Sequence, residues 1–255
     1  MKLDTGKRAS KVLGLFALSA LATGFCGAAQ AESGQKHLSL VSIPSATVAP
    51  GGLGFAGLSY STKRSTTNDE PDGSAILGFG LGDANDGVGF QFGAHIVSLT
   101  DDFADTGYFS LKASTRISDG AAPTYASLTV SHLGTWGVSA NEDPTTVVAL
   151  TRFAGWTLGE AQNVYPVMMT IGAGTNLSDF GQEPGIFGGF GIGLTEYMAA
   201  SIAWTGDEVS VGSSFKIKGL DNLFLSVSLD DALNDRDFQR VTLSIGYQFP
   251  DLFGG

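Results

Sequence analysis

From residue 53 onward, apolar and small polar side chains alternate along the chain. In 107–117, Phe109, Leu111, Ala113 and Ile117 share one parity, and Ser110, Lys112, Ser114 and Arg116 the other. In 87–99, Val88, Phe90, Phe92, Ala94 and Ile96 oppose Gly89, Gln91, Gly93 and His95. Val209, Val211, Phe215 and Ile217 likewise oppose Ser210, Gly212, Ser214 and Lys216, and Val241 to Phe249 repeats the scheme against Arg240 to Gln248. Successive side chains of a strand point to opposite faces, so each such segment has one apolar and one small or polar face. Turn residues (Gly, Asp, Asn) separate the segments. The pattern predicts strands over 53–62, 74–82, 87–99, 107–117, 123–134, 145–157, 164–176, 185–194, 197–205, 209–218, 223–231 and 239–249. Segments 53–62 and 145–157 alternate poorly and leave their faces unassigned.

A soluble sandwich also alternates, but three features favour an all-β, single antiparallel transmembrane barrel of about twelve strands, within bounds of roughly ten to fourteen. The segments match the ~9–11 residues that cross a bilayer when tilted. Their non-apolar face is rich in Gly, Ser and Thr, as a lumen allows, rather than in Lys and Glu. The connections also alternate in length. With both termini periplasmic, the outer loops 63–73, 100–106, 135–144, 177–184, 206–208 and 232–238 mostly exceed the inner turns 83–86, 118–122, 158–163, 195–196 and 219–222, as in bacterial barrels. Connection 206–208 is the short exception. Trp136 and Trp204 fall toward the outer interface, and Trp156, Tyr197, Tyr247 and Phe249 toward the inner one, where amphipathic rings are favoured.

The start of the chain changes the picture of the rest. Lys2, Lys7, Arg8 and Lys11 precede the apolar run 12–22, and Ala29-Gln30-Ala31 offers small residues for a peptidase, so 1–31 reads as a cleaved signal peptide. Residues 32–52 then form a periplasmic N-terminal segment, 53–249 the barrel and 250–255 a C-terminal extension. The precursor holds 14 basic and 25 acidic residues; removing four basic residues and Asp4 leaves ten and twenty-four, a net charge of −14. A chain this acidic is a poor partner for nucleic acid. The sole cysteine, Cys26, leaves with the signal, so no disulfide or thiolate site remains. No stretch after the signal reads as a transmembrane helix.

Chemistry is sparse. Of His37, His95 and His132, the last two fall on strands that are not adjacent, and His95 shares the face of Gln91 and Gly93. A lipid hydrolase would instead need a His–Ser pair on the lipid-facing side. No His-x-x-x-His or His-Glu-x-x-His pair suggests a metal. Asp83-Ala-Asn-Asp-Gly87 lacks the spaced ligands of a calcium loop and reads as a hairpin turn. No reaction, cofactor or coenzyme is implied. The proposed outer loops carry acidic groups, among them Asp69, Glu70, Asp72, Asp101, Asp102 and Asp105. A rim of carboxylates holding divalent cations against lipopolysaccharide phosphates is one reading; ordinary solvated loops of an acidic protein is the favoured one. Gln91, His95, Lys112, Arg116, Lys216 and Arg240 fall on polar faces as candidate lumen-lining residues, with Lys218 and Asp230 near strand ends. Basic groups lining a water-filled pore would favour anions; equally, they would pair with carboxylates and fill a narrow barrel.

The segment Arg240-Val-Thr-Leu-Ser-Ile-Gly-Tyr-Gln-Phe249 resembles the C-terminal β-signal of outer-membrane barrels, with Gly246, Tyr247 and Phe249 as its marks. The resemblance implies insertion by the barrel-assembly machinery. Residues 250–255 follow the place where such a signal usually ends, and Phe253 is a second candidate terminus. Ile43-Pro-Ser-Ala46 with Pro50-Gly-Gly52 resembles the start of an exopolysaccharide-associated outer-membrane family. Residues Gly191 to Ala232, through Ala203-Trp-Thr-Gly-Asp-Glu208, resemble uncharacterised barrel proteins of Gram-negative bacteria. These readings predict a protein of the outer membrane, in contact with its lipid and lipopolysaccharide. Its leading function is a passive porin-like channel for small solutes, anion-leaning. The alternatives are a closed structural or assembly barrel serving the envelope or surface polysaccharide and, with less support, an outer-membrane lipid hydrolase. Oligomeric state is not legible.

Overall fold

The computed structural model describes residues 36–253 apart from 64–68, 101–102, 121, 138–139, 141 and 159–162. The signal region 1–31 therefore lies outside the described residues, as do 32–35 and 254–255. Twelve strands stand among those described: β1 (Gly54–Ser61), β2 (Asp72–Gly82), β3 (Val88–Ile96), β4 (Gly107–Ser118), β5 (Thr124–Trp136), β6 (Thr145–Leu158), β7 (Asn163–Ser178), β8 (Glu183–Gly193), β9 (Met198–Trp204), β10 (Val209–Ile217), β11 (Leu220–Asp230) and β12 (Arg240–Phe249). Each predicted segment has its strand, with ends displaced by a few residues. The largest displacements, three residues each, are at the end of β3, which stops at Ile96, and at the start of β11, which begins at Leu220. A two-residue turn joins it to β10, Ile217 pairing with Leu220 and Gly219 taking φ +82°, a backbone that favours glycine.

Every strand pairs antiparallel with its sequence neighbours, and β1 pairs with β12, so the sheet is a closed barrel. Closure removes the unpaired edge that an open sheet would present. It also sets both ends of the sheet at one rim, here called the terminal end, where the short turns lie. The longer connections gather at the opposite rim, the loop end. At the terminal end, Asn85 N and Nδ2 donate to Asp83 Oδ1 (2.7 and 2.9 Å) and Gly87 N to the Asp83 carbonyl (3.0 Å), the hairpin turn expected there.

The two faces separate as the alternation requires. Leu77 (62% exposed), Ile171 (62%) and Ile186 (67%) point outward, whereas Ser74, Gln91, Ser114, Thr170 and Ser214 are buried inside. A soluble fold would hide such a belt of leucine, isoleucine and phenylalanine; a barrel in lipid presents it. After β12 the chain folds back on this outer surface. Leu252 N donates to the Gly52 carbonyl (2.7 Å), and Phe253 meets Phe79 edge-on at 5.4 Å. The C-terminal extension thus adds apolar groups to the terminal-end girdle beside Tyr247 and Phe249, which face outward, while Gly246 faces in.

If the outward belt meets hydrocarbon, charge there is costly in proportion to depth. Leu77→Arg, at the middle of β2, is expected to destabilise the barrel folded in lipid vesicles by about 2–4 kcal/mol, and Leu81→Arg near the rim by roughly 0–1. Denaturant titration in vesicles reads the difference; equal, small effects at both positions would contradict a lipid-facing wall.

Candidate functional site: the lumen and its inner segment

Residues 37–49, within the segment 32–52 expected to be periplasmic ahead of the barrel, lie inside it. The chain enters at the terminal end, where Lys36 Nζ sits 3.2 Å from the centroid of the Tyr165 ring and His37 N donates to the Thr195 carbonyl (2.8 Å). It climbs along β8–β10: the His37 ring bonds Ser214 Oγ through Nε2 (2.8 Å), and Val41 N donates to Ser201 Oγ (3.3 Å). Near the loop end Ser42 takes φ +71° and its hydroxyl donates to Asp230 Oδ1 (3.0 Å). There the chain reverses at Ile43-Pro44 and descends past β6, β4 and β3. Ala46 N donates to Thr151 Oγ1 (2.7 Å), its carbonyl accepts from Ser114 Oγ (2.5 Å), and Ala49 N donates to Gln91 Oε1 (3.0 Å). Gly51 N reaches the Gly82 carbonyl (2.9 Å) before β1 begins. The segment is a hairpin with both legs rooted at the terminal end.

The reason it fits is written in the inward face. A Cβ on Gly193 would run into the His37 carbonyl, one on Gly191 into that of Ser39, one on Gly212 into the Val41 side chain, and one on Gly80 into the Ala49 carbonyl. The small residues that predict a lumen are thus the seat of a second layer of chain. Along β6 to β8 part of the wall is instead apolar: Val147, Ala149, Met168 and Phe187 pack with Leu40, Ile43 and Ala46 in one buried cluster. This explains why 145–157 alternates poorly. Its inward residues meet protein, so their side is as apolar as the side facing out. Phe55, fully buried, does the same in 53–62.

An ion-pair network sits over the hairpin's tip. Arg240 binds Glu208 through two parallel hydrogen bonds (Nη2–Oε1 2.6 Å, Nη1–Oε2 3.0 Å), and its Nε lies 3.9 Å from Asp230 Oδ2. That oxygen also accepts from Thr242 Oγ1 (2.8 Å). Nearby, Asp207 receives Arg236 Nη2 (2.6 Å) and the amides of Asp179 and Phe180 (2.9 and 2.7 Å), tying three loops together. Asp231 accepts from the amides of Arg236 and Phe238. Glu208 lies in the connection 205–208, outside the strands. Burial, the strongest influence on it, pushes its carboxyl up, against the opposing pull of Arg240.

The sequence-predicted residues divide between these features. Gln91 holds the hairpin's descending leg, and Arg240 is engaged by carboxylates at the loop end. Lys112 is buried on β4. Arg116 pairs with Asp119 at 3.2 Å by the terminal rim, and Lys216 lies 5.6 Å from the centroid of Phe224. His95 is buried, with Nε2 2.8 Å from Ser110 Oγ and its ring stacked 4.5 Å from Tyr108, which in turn lies 4.1 Å from His132. A His–Ser contact invites comparison with a hydrolase. A working triad, however, orients the imidazole through its second nitrogen, and His95 Nδ1 has no hydrogen-bond partner among the described residues. The pair also faces the lumen, away from lipid. The residues that sequence reasoning missed are the hairpin itself and its anchors Ser114, Thr151, Ser201 and Ser214. A signal for it existed: between Lys36 and Lys63 the chain carries no Asp, Glu, Lys or Arg, an odd composition for a solvated tether.

Neither a protein-family model nor a curated protein matches this sequence. Among solved structures, the chain is similar to KdgM porin: TM-score 0.50 at 9% identity, over 76% of this chain and 99% of that one. It is also similar to the Acinetobacter baumannii outer membrane protein Omp33, with a TM-score of 0.46 at 10% identity, over 78% and 98% of the two chains. Outer membrane phospholipase A from Escherichia coli follows at TM-score 0.41 and 12% identity, over 95% and 100%. At such identity the likeness is one of fold. The fold is that of an outer-membrane β-barrel.

The Arg240–Glu208 pair is buried on both sides, so removing one partner strands the other charge. Glu208→Ala or Arg240→Ala alone is expected to cost about 3 kcal/mol, and the double variant clearly less than the sum. Denaturant unfolding in detergent supplies the cycle; additive losses would mean the pair is not coupled.

Proposed function

We propose that this protein is a porin-like channel of the bacterial outer membrane whose lumen is closed, in the conformation described, by its own N-terminal hairpin. The observation that carries the reading is the hairpin's hydrogen-bonded seat: backbone and side-chain groups of residues 37–49 are bound by Ser214, Ser201, Asp230, Thr151, Ser114 and Gln91. Water-accessible groups of the same kind, once the hairpin is out, would line a pore for small polar solutes. Both legs leave by the terminal end, which we take as periplasmic, so withdrawal into the periplasm needs no crossing of the loop-end network. Any anion preference would come from Lys216 toward that end, because Arg240 is already neutralised by Glu208 and Asp230 and Arg116 is paired with Asp119.

A closed structural or assembly barrel, serving the envelope or surface polysaccharide, is the second reading. It draws support from the buried apolar cluster that joins the hairpin to the wall, since that packing favours a permanent interior.

Planar-bilayer recordings separate the two. The full chain is expected to insulate or to open rarely, and a variant lacking residues 37–49 to carry steady current while still migrating as a heat-modifiable barrel. A Val41→Cys/Gly212→Cys variant, in which a Cβ at Gly212 would meet the residue 41 side chain, should lose even the rare openings of the full chain and regain them on reduction. A folded deletion variant that carries no current would leave the closed barrel as the function.

A further inference from the structure

The outer wall across β10, β11, β12 and β1 is not evenly covered. Two ladders of outward side chains cross it, in register. Tyr60 pairs with Leu243 and Leu243 with Val227 on the loop-end side; Leu58 pairs with Ile245 and Ile245 with Leu225 on the other. Between them runs the backbone of Ser59, Ser244 and Ser226. Ser59 is buried on the lumen side and Ser244 and Ser226 share its parity, so nothing large rises from this floor. The result is a furrow enclosing about 700 Å³, lined almost wholly by carbon. Phe215 bounds it at β10. At β2 it is closed by Leu99, which lies over Gly73 with Leu99 N donating to the Gly73 carbonyl (2.9 Å); a Cβ on Gly73 would sit 3.2 Å from Leu99 Cδ1. Beyond Leu99 the polar groups begin: Thr100 Oγ1 and Ser98 Oγ donate to Asp72 Oδ1 at 2.9 and 3.1 Å.

We propose that this furrow is a binding site for one acyl chain of an outer-leaflet lipopolysaccharide molecule. The inference rests on the outer-membrane reading with periplasmic termini. The furrow is continuous with the outward apolar belt, so hydrocarbon is what reaches it. It crosses four strands, about 15 Å at the usual strand spacing, which suits a single extended chain and is too narrow for an α-helix about 10 Å across. It runs from Leu99 and Thr100 at the loop end, where its hydroxyl-bearing end faces the rim where outer-leaflet head groups sit, obliquely down the wall to Phe215 on β10. Van der Waals contact along both ladders would hold a chain that the rest of the convex wall touches on one side only.

The test uses the full chain inserted into vesicles of phospholipid and lipopolysaccharide, extracted in mild detergent and weighed by native mass spectrometry. Wild type is expected to retain a lipopolysaccharide molecule. Val227→Trp, which fills the furrow, should lower that retention by about tenfold, the loss of a few buried methylenes. Ile186→Trp, on the lipid-facing wall at β8 and outside the furrow, should leave it unchanged. Equal retention by wild type and Val227→Trp would overturn the proposal, as would a retained phospholipid in its place or a dimer that Val227→Trp dissolves. Heat-modifiable migration shows that each variant is folded. A protein that alkaline carbonate strips from the vesicles would instead refute the outer-membrane reading on which the site depends.

Discussion

The pairing of β1 with β12 governs the rest of this structure. In hydrocarbon, no water satisfies a free backbone amide or carbonyl, so a sheet can be stable there only when it has no edge. Once closed, twelve strands enclose an interior of fixed width, wider than one layer of serine, threonine and glycine side chains can fill. The hairpin of residues 37–49 is the chain's answer to that interior. It brings its own apolar groups, Leu40, Ile43 and Ala46, to meet Val147, Met168 and Phe187, and its backbone finds partners in the hydroxyls of the wall.

This second layer changes what the lumenal chemistry means. Viewed as a bare pore, the basic residues of the inward face suggest an electrostatic filter. With the hairpin in place, Lys112 is buried at the middle of β4 and the others belong to two different ends. Arg240 helps to lock the loop end with Glu208, Asp230 and, through Asp230, Ser42 of the hairpin tip. Lys216 and Arg116 sit by the rim where the hairpin's legs enter and leave. The loop end is therefore cross-braced by ion pairs, whereas the terminal end holds the hairpin by single hydrogen bonds and the stacking of Lys36 on Tyr165. Such asymmetry sets the side from which the interior can change.

Most of the barrel was legible because lipid and lumen impose opposite demands on alternate residues, as in β3, β4, β10 and β12, where Phe90 or Leu243 could only face outward and Gln91 or Thr242 inward. The two strands that resisted this reading, β1 and β6, did so for a physical cause: Val147 and Ala149 pack against the hairpin and Phe55 is buried on the inward side, so inward-facing and lipid-facing positions are both apolar. The hairpin itself was hidden because an uncharged run broken by Pro44, Pro50 and glycines has neither strand period nor helix period. What holds it is long-range, as between Ser42 and Asp230 or Ala49 and Gln91, and no local pattern announces such contacts. The partners of Arg240 were equally invisible, since Glu208 stands in the short connection between β9 and β10, far from it in sequence.

The central claim is that residues 37–49 are an internal part of the barrel. Backbone hydrogen exchange on the detergent-solubilised full chain addresses it directly. The amides of Val41, Ala46 and Ala49, bound to Ser201, Thr151 and Gln91, should exchange as slowly as those of the flanking strands. Exchange of these amides at the rate of a free peptide, with the strands still protected, would contradict the account.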